Sequence, residues 1–429
     1  MTLDQLADKA PRNSSLWIGK PSQGGHDRVM SRAVLIVLIS ALVMLGPFTN
    51  NIMVPSLPSL ADRLQVSFSS AQLILSVFMA GFAAGQLFVG PMSDRFGRKP
   101  VLVLSMSLFV IASALCAVAP DLWTLSATRL LQALGASASM SVGRAIVRDS
   151  FASDRIAQAY AYVGTALAIG PIVGPIIGGF IEVSAGWRAI FIFVGGFGAL
   201  ILLSVLVLLR ETNRNLMPDA TNPETLVKNY AALLSNRIYM GYVFCNMICY
   251  GGIFAFTSCS AYILIGLLKI SPDIFGALYA ITVGAYGVGT LVASQLTRRM
   301  GLNRMIIFGG LLMTISGEIM VIIPLLGHLN IWTVVLPFSG FAFGTGFVFP
   351  NGQAGSIAPF PKMAGGASSM LSCLQMSFAA ILGASVAGLL NGTVMPLAWT
   401  VFCMGPAMLL LFYILVLRHS KRYVNEPSA

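Results

Sequence analysis

Apolar stretches of about twenty residues recur almost without a break from residue 32 to residue 417, and each can cross a ~30 Å hydrocarbon core as a helix. Few folds are open to such a chain. Inside lipid every backbone N–H and C=O must find a partner, which leaves helices and closed barrels. Barrel strands would be ~10 residues long with alternating polarity, and that alternation is absent here. Only 10% of the 429 residues are charged and 56% are hydrophobic, against about 25% and 45–50% in an ordinary soluble domain. The sequence therefore predicts an all-α membrane protein. Its spans are expected at about 32–57, 70–92, 100–119, 122–145, 156–182, 187–209, 238–265, 273–296, 303–325, 331–355, 364–391 and 394–417, with boundaries good to about 2–4 residues.

The widest gap, 210–237, carries Pro218 and Pro223 and reads as a cytoplasmic linker between six-helix halves at 32–209 and 238–417. Residues 1–31 and 418–429 are polar and read as cytoplasmic tails; the first carries Pro11, Pro21 and Gly24-Gly25 and lacks the pattern of a secretory leader. With the amino terminus inside, all but four of the 26 Lys and Arg fall in tails, cytoplasmic loops or adjoining helix ends, as the positive-inside rule requires. Arg63, Arg188 and Lys269 are left outside, and Arg129 lies within a span. The net charge of +11 is thus spread over short loops, which argues against a nucleic-acid partner. The six cysteines fall within or beside spans and read as small apolar residues, not as a disulfide framework or metal site. Neither metal nor cofactor is expected, and a monomer in the bilayer is.

The halves are related. Gly90-Pro-Met-Ser-Asp94-Arg95-Phe-Gly97-Arg98-Lys99-Pro100 follows the second span, and Ser294-Gln-Leu-Thr-Arg298-Arg299-Met-Gly301-Leu-Asn303-Arg304 follows the eighth. At an offset of 204 residues Arg95 meets Arg299, Gly97 meets Gly301 and Gly85 meets Gly289. A parallel duplication places a binding site between the halves at mid-membrane.

Several residues stand out on physical grounds. The loop Asp94, Arg95, Gly97, Arg98, Lys99 is either a basic topogenic hairpin or a latch, with Asp149 at the end of the fourth helix as a partner for Arg98. In the fifth helix Gly170, Gly174 and Gly178, with Gly179 beside them, set small residues on one stripe at spacing four. A neighbouring backbone can then come close, and Pro175 removes a helix hydrogen bond and permits a bend. Packing and hinging both fit. Arg129 sits about two turns into its span, where an unpaired arginine costs at least ~2.5–3.5 kcal/mol. Either its long stem reaches the nearby surface or it faces an interior cavity together with Gln132.

Gly90–Leu102 resembles the signature loop of the major facilitator superfamily, and Arg129-Leu-Leu-Gln132-Ala-Leu-Gly135 its fourth-helix motif. Ala166-xxx-Gly170-xxx-Gly174-Pro175-xx-Gly178-Gly179 resembles the fifth-helix motif of its antiporters. Trp187-Arg188-Ala-Ile-Phe191, Glu211-Thr212 and Gly365–Met376 are similar to the Bcr/CflA group of bacterial multidrug exporters. The resemblance implies twelve helices in two pseudo-symmetric halves, a latch at the 94–99 loop, and export across the inner membrane of a drug-like compound or a metabolite such as a siderophore. It also exposes a departure. Members of that group carry an acid in the first helix just before Pro-x-x-Pro; here the stretch is Asn50-Asn51-Ile-Met-Val-Pro55-Ser-Leu-Pro58, and the matching position is Asn51.

Asparagine cannot carry a proton. Among the remaining acids only Glu318 lies well inside a span, with Glu182 near the end of the fifth. Asn50, Asn51, Gln132, Asn246 and Gln375 supply amides to the expected cavity; Glu318 is a coupling candidate by depth alone, set against a structural role bonded to Ser316 or a neighbour, because the resemblance puts the ninth helix at the periphery of its half. Protons are thus a conditional partner, and transport is expected to be weakly proton-dependent or uncoupled. No His-Glu-x-x-His, nucleophile elbow or phosphate-binding Gly-Lys loop is present, so an enzyme is not expected. A dedicated metabolite facilitator, or a transporter-fold sensor that no longer transports, is the alternative to an exporter of drug-like compounds.

Overall fold

The computed structural model describes residues 31–151, 153–213, 216–360 and 363–418, without the side chains at 153–157, 161, 168 and 364. Most of the expected tails, Arg214, Lys362 and the side chain of Arg155 lie outside the described residues. Among the described residues every regular element is helical. Twelve helices are long and apolar enough to span a bilayer. They are α1 (Arg32–Arg63), α2 (Phe68–Phe96), α3 (Arg98–Ala117), α4 (Leu122–Ser150), α5 (Ser153–Ala185), α6 (Trp187–Leu208), α7 (Arg237–Leu267), α8 (Pro272–Met300), α9 (Leu302–Leu325), α10 (Ile331–Ile357), α11 (Ala364–Gly388) and α12 (Met395–Leu417).

Two boundaries move in ways that matter. The first span does not stop near residue 57. At Val54–Ser56, around Pro55, it tightens to a 3₁₀ turn and then continues as helix to Arg63, because proline deletes one ladder bond without ending the chain's helical course. The second helix runs on to Phe96, so Asp94 and Arg95 occupy its last turn and not a loop. The linker is also more ordered than its composition suggests. It forms a 3₁₀ turn, Pro218–Thr221, and a helix, Pro223–Ser235, whose Asn222 caps the backbone N–H of Glu224.

The duplication read from sequence reappears in backbone detail. Gly97 and Gly301 both open the third helix of their half in the left-handed region, at φ 97° and 83°, where a side chain would be strained. Gly85 of α2 lies against Ser137 of α4, and its counterpart Gly289 of α8 lies against the carbonyl of Phe343 in α10. Within each half the order of packing repeats: α2 and α3 on α4, α8 and α9 on α10, α3 on α6, α9 on α12. Between halves, α2 packs on α11 and α5 on α8.

Candidate functional site

At the ends of α2, α3 and α4 the described ion pairs gather. Arg98 is 3% exposed, and its guanidinium lies 2.7 Å from Asp94 Oδ1 and 2.9 Å from Asp149 Oδ2. It also donates to Ser93 Oγ at 2.6 Å. The side chain of Asp149 is 15% exposed and that of Asp94 38%. Arg95 turns away, donating to Thr221 Oγ1 of the linker at 2.5 Å, and Lys99 Nζ donates to the Leu206 carbonyl at the end of α6, 3.0 Å away. One residue that the site expectations omitted completes the assembly. The carboxylate of Glu211 accepts from the backbone N–H of Arg98 at 2.9 Å and of Lys99 at 3.0 Å. It caps the start of α3 from another part of the chain, in the place that Gly97 leaves without a capping side chain, and an anion suits that helix end. A Cβ on Gly97 would stand 2.6 Å from Glu211 Oε2. Sequence proximity to α6 carried no hint of this, since the cap acts across 113 residues.

Deeper in the first half, Arg129 is fully buried. Its partners are amides and rings: Gln132 Oε1 at 2.7 Å, Asn50 Oδ1 at 3.3 Å, and the Phe78 ring, whose centroid is 4.2 Å from Cζ. Its Nε has no partner. Gln132 donates onward to Ser113 Oγ at 2.8 Å. The surface-reaching alternative for Arg129 is therefore not the conformation adopted.

Asn50 and Asn51 part company. Successive helical residues point about 100° apart, so Asn50 joins Arg129 inside the half while Asn51 faces the other half. Tyr279 of α8 donates to Asn51 Oδ1 at 2.9 Å, and Asn51 Nδ2 returns to the Pro47 carbonyl at 2.8 Å. Around this pair the halves meet. Gln72 of α2 donates to Ser258 of α7 at 2.8 Å, and Phe68 packs on Tyr262 with centroids 5.1 Å apart. Further along, Gln86 reaches the sulfurs of Met140 and Met376. The seam is held by uncharged groups, while the ion pairs Arg98–Asp94, Arg98–Asp149 and Arg148–Asp149 all lie within the first half.

The fifth-helix stripe splits in the same fashion. Gly170, Gly174 and Gly178 lie along α1, meeting Met44, Ile52 N–H and Ile52 C=O, whereas Gly179 meets the Pro272 carbonyl of α8 in the other half. Pro175 stays within an unbroken helix, and its carbonyl lies under Gly276 of α8.

Four further polar residues singled out in the sequence lie as follows. Of the two readings of Glu318, depth points to the cavity and the peripheral position of its helix away from it; the side chain is exposed, on the face of α9 that carries Leu311, Ile315 and Ile322. The opposite face packs through Gly309 and Gly317 on α10 and α12, so the carboxylate points out of the bundle. Asn246 lies inside the second half, where its Nδ2 bonds the Tyr242 carbonyl at 2.9 Å and packs against Gly352, while its Oδ1 is buried without a partner. Glu182 is hydrogen-bonded to Ser59. Gln375 is buried on α11 with an unpartnered Oε1.

A bundle of two related six-helix halves, joined over a neutral seam that few bonds hold, defines a secondary transporter of the membrane. The sequence pattern described as Major Facilitator Superfamily matches residues 39–267. The bicyclomycin resistance protein homolog of Haemophilus influenzae is 27% identical over 91% of this chain and 98% of its own. Multidrug resistance protein D of Escherichia coli is 26% identical over 84% of this chain and 89% of its own. The solved structure of a D-xylose-proton symporter superposes with a TM-score of 0.70 at 17% identity, covering 89% of this chain and 97% of that one; it speaks for the fold alone. The chain belongs to the Major Facilitator Superfamily. It is a multi-pass transporter of the bacterial inner membrane, of the branch that includes the bicyclomycin and multidrug resistance proteins.

Proposed function

We propose that this protein exports a small organic solute by alternating access, with both termini cytoplasmic, and that its transport does not depend on proton exchange at the first helix. The observation that carries the reading is the seam at Asn51. The two halves are tied there by neutral hydrogen bonds, each worth about 0.5–1.5 kcal/mol, which a rocking motion can exchange without separating charges. The relatives' names, bicyclomycin resistance and multidrug resistance, support a drug-like solute. Purified protein in vesicles, loaded with candidate solutes with and without a pH gradient, tests it: efflux that needs protein but not the gradient is expected, and none in either condition would leave a transporter fold that does not transport.

Asn51→Asp is the sharpest probe of coupling. Asn51 accepts from Tyr279 and donates to the Pro47 carbonyl. A protonated carboxylic acid can reproduce both bonds; an ionised one can only accept. An unmet buried acceptor costs about 1–3 kcal/mol, so the variant's efflux should gain a pH dependence approaching tenfold that the wild type lacks. A wild type already strongly proton-driven, and still so in Glu318→Gln, contradicts this reading.

The Arg98 cluster acts in this scheme as a latch that forms fully in one conformation. Arg98→Ala leaves Asp149 largely buried with only the 3.7 Å contact to the exposed Arg148; the loss reaches about 3–5 kcal/mol for fully buried pairs, so transport should fall at least tenfold with insertion intact. Asp94→Asn should cost less, because Asp94 is 38% exposed and solvent already screens it. Wild-type rates in both variants would reduce the loop to a topogenic element.

A further inference from the structure

We infer that the solute carries a net negative charge and leaves down the membrane potential, with Arg144 as the cation that meets it on the cytoplasmic side. The inference rests on the export reading above. Its first support is the placement of the acids. Among the described residues no buried carboxylate on the side of the Arg98 cluster is left without a partner. Asp94 and Asp149 are bound to Arg98, Glu211 caps α3 and Glu318 points outward, while Glu182, at the far end of α5, is bonded to Ser59 through Oε1 and keeps a buried Oε2 without a partner. The rest sit exposed in end turns and the linker.

The second support is the cations. Arg129 and Arg144 lie on one side of α4, fifteen residues apart and so about 22 Å along the axis. Arg129 is buried with its Nε unpartnered and no carboxylate in reach. Arg144 is half-buried, and its side chain makes no ion pair or hydrogen bond among the described residues. It shares a helix face with Met140, one turn away, and Met140 meets Gln86 at the contact with Met376 of the other half. Tyr160 donates to the Arg144 carbonyl at 3.1 Å, which places a second polar group beside it. By contrast Arg148, the next turn on, is 60% exposed and already beside Asp149 at 3.7 Å.

An entry that, among the described residues, offers the Arg144 cation and no unpartnered buried carboxylate suits a carboxylate, sulfonate or phosphate ester and disfavours a cationic drug. It also accounts for the missing proton carrier. Moving one negative charge out of a cell that is negative inside releases about 2.3 kcal/mol per 100 mV, so an anion needs no proton to be exported. A cation would need one.

The test uses the purified full-length protein in vesicles with a potassium diffusion potential, negative inside, and no pH gradient. The probes are naphthalene-2-sulfonate, naphthalene-2-sulfonamide and (2-naphthylmethyl)trimethylammonium, alike in bulk and differing in charge. Protein-dependent efflux of the sulfonate is expected, rising with the potential toward a gradient of about fifty-fold per 100 mV, the equivalent of about 2.3 kcal/mol. Arg144→Gln should cut the sulfonate's advantage over the sulfonamide about tenfold, and Arg144→Lys should retain most of it. Efflux of the cation or of the neutral probe in preference to the sulfonate overturns the inference while leaving the export reading in place. Movement of none of the three counts against both, and wild-type selectivity in Arg144→Gln removes Arg144 from the path.

Discussion

Arg129→Ala is expected to abolish transport, with a fall of roughly a hundredfold or more, while the protein still inserts. The side chain is fully buried, and it ties α4 to α1 through Asn50 as well as to its own Gln132. Hydrogen bonds to a charged group contribute about 1.5–3 kcal/mol each, and the stacked Phe78 ring adds to them. Removing the guanidinium also leaves the amide oxygens of Asn50 and Gln132 without a donor in a dry interior. Gln132 then loses the partner that orients it toward Ser113. Arg129→Lys should recover part of the rate, since an ammonium can keep one bond and the ring contact but cannot fork to two amides. Rates are to be compared at equal inserted protein. Near-normal efflux in the alanine variant would show that the network is packing alone.

The second large effect is expected at the glycines where α5 meets α8. A Cβ on Gly179 would come 2.1 Å from the Pro272 carbonyl oxygen, and one on Gly276 would come 2.6 Å from Ile176 Cα. These neighbours are backbone atoms and cannot swing aside. Gly179→Val or Gly276→Val should therefore act as a wedge, opposing the arrangement in which the halves touch at this end. Overpacking of this kind costs about 1–3 kcal/mol, and applied to one of two conformations it shifts their ratio roughly five- to 150-fold. Transport, which needs both conformations, should fall accordingly. A cysteine placed at Tyr279, which faces Asn51 across the seam, should become more reactive to an impermeant thiol reagent added from the outer side. Unchanged labelling together with near-normal efflux would mean that the seam gives way elsewhere.

These two predictions draw on different kinds of information. Arg129 was conspicuous in the sequence because a charge in an apolar run is costly wherever its helix packs. The wedge at Gly179 was not, because spacing alone put Gly170, Gly174, Gly178 and Gly179 in one group. Only the packing showed that three serve α1 and the fourth serves the other half.

The same division runs through the molecule. Helix number, the two halves and the duplication were legible because they rest on local quantities: the length of an apolar run set against bilayer thickness, and a glycine forced to positive φ at the same place in each half. Asp94, Arg98 and Asp149 were legible as candidate partners because opposite charges near helix ends on one side of a membrane have few others to meet. What a side chain faces is not local. One residue's step turns it about 100° around a helix, so neighbouring Asn50 and Asn51 went to different places. Glu318, deep by its position in the chain, turned outward because Gly309 and Gly317 claimed the opposite face of α9 for close packing. Glu211 became the cap of α3 only because the end of α6 folds back beside Gly97. Depth in the membrane follows from the sequence by counting; direction follows from which neighbours a helix packs against, and that is decided when the bundle assembles.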